Sequence, residues 1–169
     1  GGIGFFSALM GVGGGAFAGL SLFTGLDGSV GAGVAQFGNM VLGASGTGGF
    51  GGFDGQSSSP IGPGGDAVGG QATLLITAGA LTAGEVSVTA NASGGSGTTG
   101  GQADGGAASV EGSLQGTGTL ARLFVSAAGF GSGGFGGLGG AGTGGLASLS
   151  ASGIDLTIAG DVLLDSTGF

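Results

Sequence analysis

The chain has no cysteine, histidine, tryptophan or tyrosine, only two prolines, and a single basic residue, Arg122. Without His or Cys there is no ordinary zinc, haem or iron–sulfur site, no thiol nucleophile, no Ser-His-Asp triad and no disulfide. One cation cannot make the basic patch that nucleic acid or an anionic membrane requires, and the net charge of −8 points the same way. The missing cysteines say little about redox compartment, although a repeat protein exported unfolded is expected to lack disulfides. Charged residues make up 6% of the chain and no charge precedes Asp27, so the opening "GGIGFFSALMGVGGGAFAGLSLFTGL" has to be weighed as a signal or membrane helix. It has no positive flank, and nine of its 26 residues are glycine, the poorest helix former after proline. No membrane span is expected.

What is present in quantity is glycine, 51 residues of 169, together with 11 phenylalanines and a positive mean hydropathy of +0.58. Disordered chains combine low hydrophobicity with high charge, whereas here glycine accompanies Val, Leu, Ile, Ala and Phe, so a plain linker is the weaker description. The glycine hides a repeat. "GGQATLLITAGALTAGEVSVTANASG" from Gly69, "GGAASVEGSLQGTGTLARLFVSAAG" from Gly105 and "GGLASLSASGIDLTIAGDVLLDSTG" from Gly144 align, their starts 36 and 39 residues apart. A poorer copy runs from Gly14 ("GGAFAGLSLF") and Gly38 ("GNMVLGASG"). Four units result, close to residues 1–46, 47–93, 94–129 and 130–169 of one repeat domain. Joining tail to head gives "DSTGFGGIGFF", which parallels "SAAGFGSGGFGG" around Phe130, and with the missing initiator Met this makes the chain an expected excerpt of a longer array.

Alternation assigns faces, because successive side chains on a strand point to opposite sides. In the second run of each unit Met40 and Leu42, Val86 and Val88, Leu123 and Val125, and Val162 and Leu164 share one face and are expected inside. In the first run Ala72, Leu74 and Ile76 match Ala108, Val110 and Gly112, then Ala147, Leu149 and Ala151, with Thr73, Ser109 and Ser148 outward. A middle strand, "GIDLTIAG", sets Ile154, Leu156 and Ile158 on one face. Units this short cannot bury their own apolar face, and stacking one coil on the next solves that. The expected fold is all-β: a right-handed parallel β-solenoid of about four coils, rungs about 4.8 Å apart, with an antiparallel sandwich as the competing arrangement. Stacking would set Arg122 between Glu85 and Asp161, a structural ladder whose exposed pairs contribute about 0 to 1 kcal/mol each and serve to hold register. The bland alternative is a solvated surface arginine without a fixed partner.

Between the strand-like runs lie arcs such as "GTGGFGGFDGQSSSPIGPGGDAV" and "GFGSGGFGGLGGAGT". Ordered glycine costs about 0.5 to 1 kcal/mol relative to Ala, so ordered arcs need a compensating interaction. Ser132, Phe135, Leu138 and Ala141 recur at every third position, the repeat of a left-handed extended helix, whose N–H and C=O groups must bond to neighbouring segments or to water. Polyglycine II arcs packed beside the sheet are one reading, and mobile linker-like loops are the other. Phe residues concentrated in these arcs, among them Phe5, Phe6, Phe50, Phe53, Phe130, Phe135 and Phe169, would anchor arcs to the spine or pack between subunits.

The pattern "GGxASLxASG...GDVLLDSTG" resembles the glycine-rich parallel β-helix repeats of very large bacterial surface proteins, including filamentous-haemagglutinin-like adhesins and autotransporter passengers. The arcs look like polyglycine II segments of phage adhesin tips, and the composition is similar to glycine-rich mycobacterial surface repeats. The resemblance implies export, a secreted or cell-surface position, and a role in adhesion, biofilm-like matrix or filament structure. No catalytic, cofactor or metal residue is assigned. Asp161 and Asp165 fall four apart on one face and could pair as carboxylates, but an exposed acidic edge is the simpler account. "GGFGGFD" near Asp54 resembles a calcium-binding nonapeptide without its period, G-x-G-x-x-G matches carry no weight amid so much glycine, and Asn91-Ala92-Ser93 fits a glycosylation sequon. The expected function is structural and non-enzymatic: self-association into an extracellular filament or stalk, with outward apolar residues such as Leu75, Phe124 and Leu163 supporting lateral contacts. The alternatives are an adhesin for a glycan or another surface, an ice-binding face of Thr and Ser rows, and a polysaccharide lyase, for which Arg122 alone is too little.

Overall fold

In a computed structural model the chain is described at residues 16–17, 20–25, 34–51, 60, 62–76, 79–113 and 116–169. The described residues contain strands and no helix. In chain order the strands are β1 (Ala16–Phe17), β2 (Leu20–Gly25), β3 (Val34–Gly43) and β4 (Gly46–Thr47), then β5 (Ala67–Val68), β6 (Gln71–Ile76), β7 (Ala80–Thr89), β8 (Ala92–Ser93) and β9 (Gly97–Thr99). The same order returns as β10 (Ala103–Asp104), β11 (Ala107–Gly112), β12 (Thr117–Ser126), β13 (Gly129–Phe130) and β14 (Gly134–Leu138), followed by β15 (Gly142–Thr143), β16 (Leu146–Ala151), β17 (Asp155–Ile158) and β18 (Val162–Asp165).

Each strand pairs in parallel with its counterpart from the next pass of the chain, giving sheets ordered β1-β5-β10-β15, β2-β6-β11-β16, β3-β7-β12-β17 with β18 also on β12, β4-β8-β13, and β9-β14. Parallel pairing at this order is the architecture of the β-solenoid-like class, and the antiparallel sandwich is not what forms. Ala72 pairs with Ala108 and Ala108 with Ala147, Val86 with Leu123 and Leu123 with Val162, as the aligned repeats require. The poorer first copy is shifted. Setting Gly14 against Gly69 would put Ala16 opposite Gln71, whereas Ala16 pairs with Ala67 and Leu20 with Gln71.

Leu74, Ile76 and Val110 from one sheet and Leu81, Val86, Val88, Leu120, Leu123 and Val125 from the facing sheet form the main core, with Ile154, Leu156 and Ile158 packed against it. Removing each of these larger side chains from water contributes about 1.5 to 3 kcal/mol. Among the described residues a second compartment is formed by Ala67, Ala92 and Ala103. The middle strand and second run that look separate in the sequence are joined in β7 and β12, ten residues each, with a defect between the halves: Leu120 pairs with Ala83 and Arg122 with Glu85, while Ala121 and Gly84 are skipped. Inward positions accordingly change parity, from Leu81 and Ala83 to Val86 and Val88. In the last pass the strand breaks altogether into β17 and β18, and Ala159 and Gly160 donate to the Leu120 and Ala121 carbonyls at 2.9 and 2.8 Å across the gap.

Candidate functional site

The glycine-bearing segments build one of the molecule's distinctive surfaces. Most backbone bonds of a parallel sheet run along it, but several here cross from one sheet to the sheet facing it. Gly70, Gly106 and Gly145 donate to the carbonyls of Ala44, Ala90 and Ala127 at 2.7, 2.7 and 2.6 Å. Further out, Gly65 donates to Gly49, Gly95 to Gly65 and Gly101 to Gly95, each at 2.8 Å, then Ser132 to Gly101 at 3.2 Å and Gly140 to Ser132 at 2.8 Å, a zigzag that climbs from side to side. Bonds of this kind bring two backbones closer than any side chain permits. A Cβ on Gly69 would run into the Ala90 carbonyl, and one on Gly101 into the carbonyl of Gly65. The glycines therefore trade side-chain burial for satisfied amides, which is how a segment with no apolar side chains can be ordered.

Where the ladder is interrupted, at the skipped pair within β3 and β7 and at corners of the chain, short polar side chains take over from it. Asn39 Oδ1 accepts from the Glu85 N–H (3.2 Å), Asp66 Oδ1 from Gln102 (2.7 Å), and Asn91 Oδ1 from both the Ala128 N–H and the Ser126 hydroxyl (2.8 Å each). Ser45 Oγ accepts from the Asn91 N–H at 3.2 Å. Each ties one pass of the chain to the next. The sequence signal for them is slight: Asp66 and Asn91 fall beside short strands at corners, and Asn39 follows Gly38 at the skipped pairing within β3. The Asn91 carboxamide, read as a sequon, is engaged in holding two passes together. Thr73 and Ser109, expected outward, are buried on their flat sheet, and their hydroxyls hydrogen bond to each other at 3.1 Å. Short side chains between neighbours on both sides are shielded there. Among the described residues no buried side-chain polar atom lacks a partner.

The expected ladder residues lie on the outer face. Glu85 and Arg122 are paired across β7 and β12, and the Asp161 carbonyl accepts from Leu123 N–H at 3.0 Å. The three side chains are exposed, and among the described residues no ion pair joins them. Of the residues expected inside, Val86, Val88, Leu123 and Val125 are between 0% and 2% exposed. Val162 and Leu164, in register with Leu123 and Val125, are 45% and 46% exposed, because β18 has β12 on one side and no strand on the other among the described residues. The same edge carries exposed Leu146 and ends at Phe169, whose ring stacks on Phe130 with centroids 5.5 Å apart and planes 2° from parallel.

Asp161 is exposed and Asp165 half-buried in the last pass of the chain. Asp165 accepts from the Thr167 N–H and hydroxyl at 3.1 and 2.8 Å, an Asx-type turn. Among the described residues no group of three acidic, His or Cys side chains could hold a metal, and no helix is long and apolar enough to cross a membrane. Asp54, Phe5, Phe6 and Phe53 lie outside the described residues. Compared with known proteins, the chain matches no protein-family model, no curated protein and no solved structure. The likeness to β-helix surface repeats thus stands on the residues quoted for it.

Proposed function

We propose that this chain is a non-enzymatic structural protein that forms or extends an extracellular filament, stalk or surface fibre by stacking β-solenoid coils. On this reading it contributes about four coils, one for each repeat unit, and its glycine arcs are polyglycine II-like segments packed beside the sheets. The supporting observation is the open parallel edge at β16 to β18. Its columns are buried one strand earlier, at Leu123 and Val125, and exposed at Val162 and Leu164. An unpaired edge of this kind templates a further strand, and a coil of the same repeat would supply matching apolar positions. The column of Glu85, Arg122 and Asp161 would discourage slippage by setting opposite charges side by side. Secretion or surface display is part of the proposal and rests on the resemblance of the repeats.

Images of the native material and fibre diffraction test it. A layer spacing near 4.8 Å, and particles that lengthen with concentration, are expected. Placing lysine at Val162 and Leu164 should shorten them. Compact particles of one size at every concentration would defeat the proposal, as would a circular dichroism spectrum dominated by helix.

One observation favours a second reading, an adhesin for a glycan or other surface. Thr82, Thr119 and Thr157 pair in register and are all exposed, a rank of hydroxyls on a flat parallel sheet. Valine at all three positions should abolish retention on a glycan surface if this face binds sugar, while leaving assembly intact.

A further inference from the structure

The packing demands glycine just after each short strand of the first sheet. Gly69, Gly105 and Gly144 follow β5, β10 and β15, and a Cβ on any of them would run into a carbonyl of the facing segment, that of Ala90, Ala127 or Ser166. The residue in front of each glycine is under no such demand, and it is Val68, Asp104 and Thr143 in turn, paired in one column. In the middle pass the fold thus sets an acid directly before an obligatory glycine. Asp104-Gly105 is the one Asp-Gly step among the described residues.

Asp-Gly is the peptide step most prone to rearrange on its own, because a residue without a Cβ leaves its nitrogen free to approach the neighbouring carboxyl. The nitrogen bonds to Cγ, and the amide proton departs with the carboxyl's hydroxyl as water, closing a succinimide ring. Water then reopens the ring. Where it attacks the former main-chain carbonyl, the chain runs on through the side chain as an isoaspartyl linkage. One water leaves and one enters, nothing is oxidised, and no other reactant is needed.

The closed fold denies this geometry. Asp104 lies in β10, extended between β5 and β15 and in register with both. Its side chain is exposed, whereas the Gly105 N–H is turned into the ladder and donates to the Thr143 carbonyl at 2.8 Å. To bring that nitrogen onto Cγ the peptide has to swing out of the ladder. The swing breaks this bond and also the one that Gly69 donates to the Asp104 carbonyl, likewise 2.8 Å.

We infer that Asp104-Gly105 is a latent self-modification site, sealed while its pass of the chain is closed and converted to isoaspartate once that pass opens. For the fold the conversion is one-way. The new linkage carries an additional main-chain carbon, and the carbonyl that accepted from Gly69 becomes part of a free carboxylate, so β10 no longer fits between β5 and β15. A pass that has stayed open is thereby kept from rejoining the stack. The packing that requires glycine at 105 creates the reactive step and protects it as well.

Peptide mapping by mass spectrometry, with fragmentation that separates isoaspartate from aspartate, follows residue 104 in the whole chain at neutral pH. Conversion should be at least about tenfold slower in the folded chain than in concentrated urea, because the reaction waits for the open form. Low concentrations of urea should raise the rate in step with the open fraction, and Gly101→Ala, which lies beside β10 and leaves the dipeptide intact, should raise it without urea. Asp104→Glu, whose longer side chain does not close the succinimide, should regain its circular dichroism spectrum after the same treatment and dilution, whereas converted wild type should not. Four results would overturn the inference: a folded chain that converts at the unfolded rate, an unfolded chain in which residue 104 stays aspartate, a rate that ignores low urea, or a converted chain that regains the wild-type spectrum and urea transition.

Discussion

The main core and the glycine segments belong to the same passes of chain and hold them together in opposite ways. Between β6 and β7, and again between β11 and β12, the facing sheets are kept apart by Leu74, Val86, Val110 and Leu123, and cohesion comes from apolar surface removed from water. A few residues further along, at Gly70, Gly106 and Gly145, the facing backbones touch and cohesion comes from amide bonds between them. The first device tolerates approximate shapes, because hydrophobic burial is non-directional. The second tolerates nothing larger than hydrogen, because bond and spacer are the same atoms. A chain can thus be rich in glycine and ordered, provided each glycine segment has a backbone partner at hand.

Breaking each device separately should expose the difference, and the largest effect is expected in the core. Val125→Asp places a charge in a site that is 0% exposed, and with no partner it should cost more than about 4 kcal/mol, enough to abolish a cooperative urea transition. Gly101→Ala should come next. Its methyl group has to displace the Gly65 carbonyl, which severs a bond of the zigzag, while Gly133→Ala meets open space and should be neutral or raise stability by about 0.4 to 1 kcal/mol. Equal effects at the two glycines in urea denaturation would mean that the glycine layer is not packed as described. Within the apolar device, Leu123→Ala should lose about 2 to 5 kcal/mol, and Leu164→Ala, half exposed in the same sheet, well under half of that. The ratio sharpens the contrast between covered and uncovered strands, and it should narrow if Leu164 becomes buried in an assembly. Smallest is the corner: Asn91→Ala removes an acceptor from Ala128 and Ser126 and should cost about 1 to 3 kcal/mol, while Arg122→Ala on the outer face should change stability by about 0.5 kcal/mol or less.

Much of this fold is legible in the residues for a geometric reason. In stacked parallel strands the residue paired with position i lies one unit further along, so the 36- and 39-residue spacings of the aligned motifs are themselves the strand register, as the pairing of Ala72 with Ala108 and of Ala108 with Ala147 attests. The alternation that puts Val86 and Val88 inside works for the same reason. What alternation cannot carry is a defect. Gly84 reads as the end of one strand and the start of the next, and only the skipped pairing between β7 and β12 reveals one long strand whose parity changes midway. Nor does parity tell a covered surface from an open one. Thr73 and Ser109 share the outer face of the β6–β11 sheet and are buried there all the same. For the candidate edges, the residues predict which columns point inward, but the exposure of Val162 and Leu164 depends on which strands flank them, a property of the assembled sheet and of no single residue. The hydrogen bonds between facing glycine segments were foreseeable only as a need, since every buried amide requires a partner; which partner, Gly65 to Gly49 or Gly106 to Ala90, follows from three-dimensional closure alone.

The unequal lengths of the passes have an outcome for how such a molecule can change over generations. Partners across successive strands lie 46 apart at Asn39 and Glu85, 36 apart at Thr73 and Ser109, and 39 apart at Ser126 and Asp165, yet the columns stay aligned. Surplus residues lie between the strands, and in β14 a register shift against β9 between Gly134 and Leu138 takes up two more. Codons can be gained or lost between strands without disturbing the stacked columns, while the loss of one residue within a regularly paired strand would turn every later side chain in it to the wrong face.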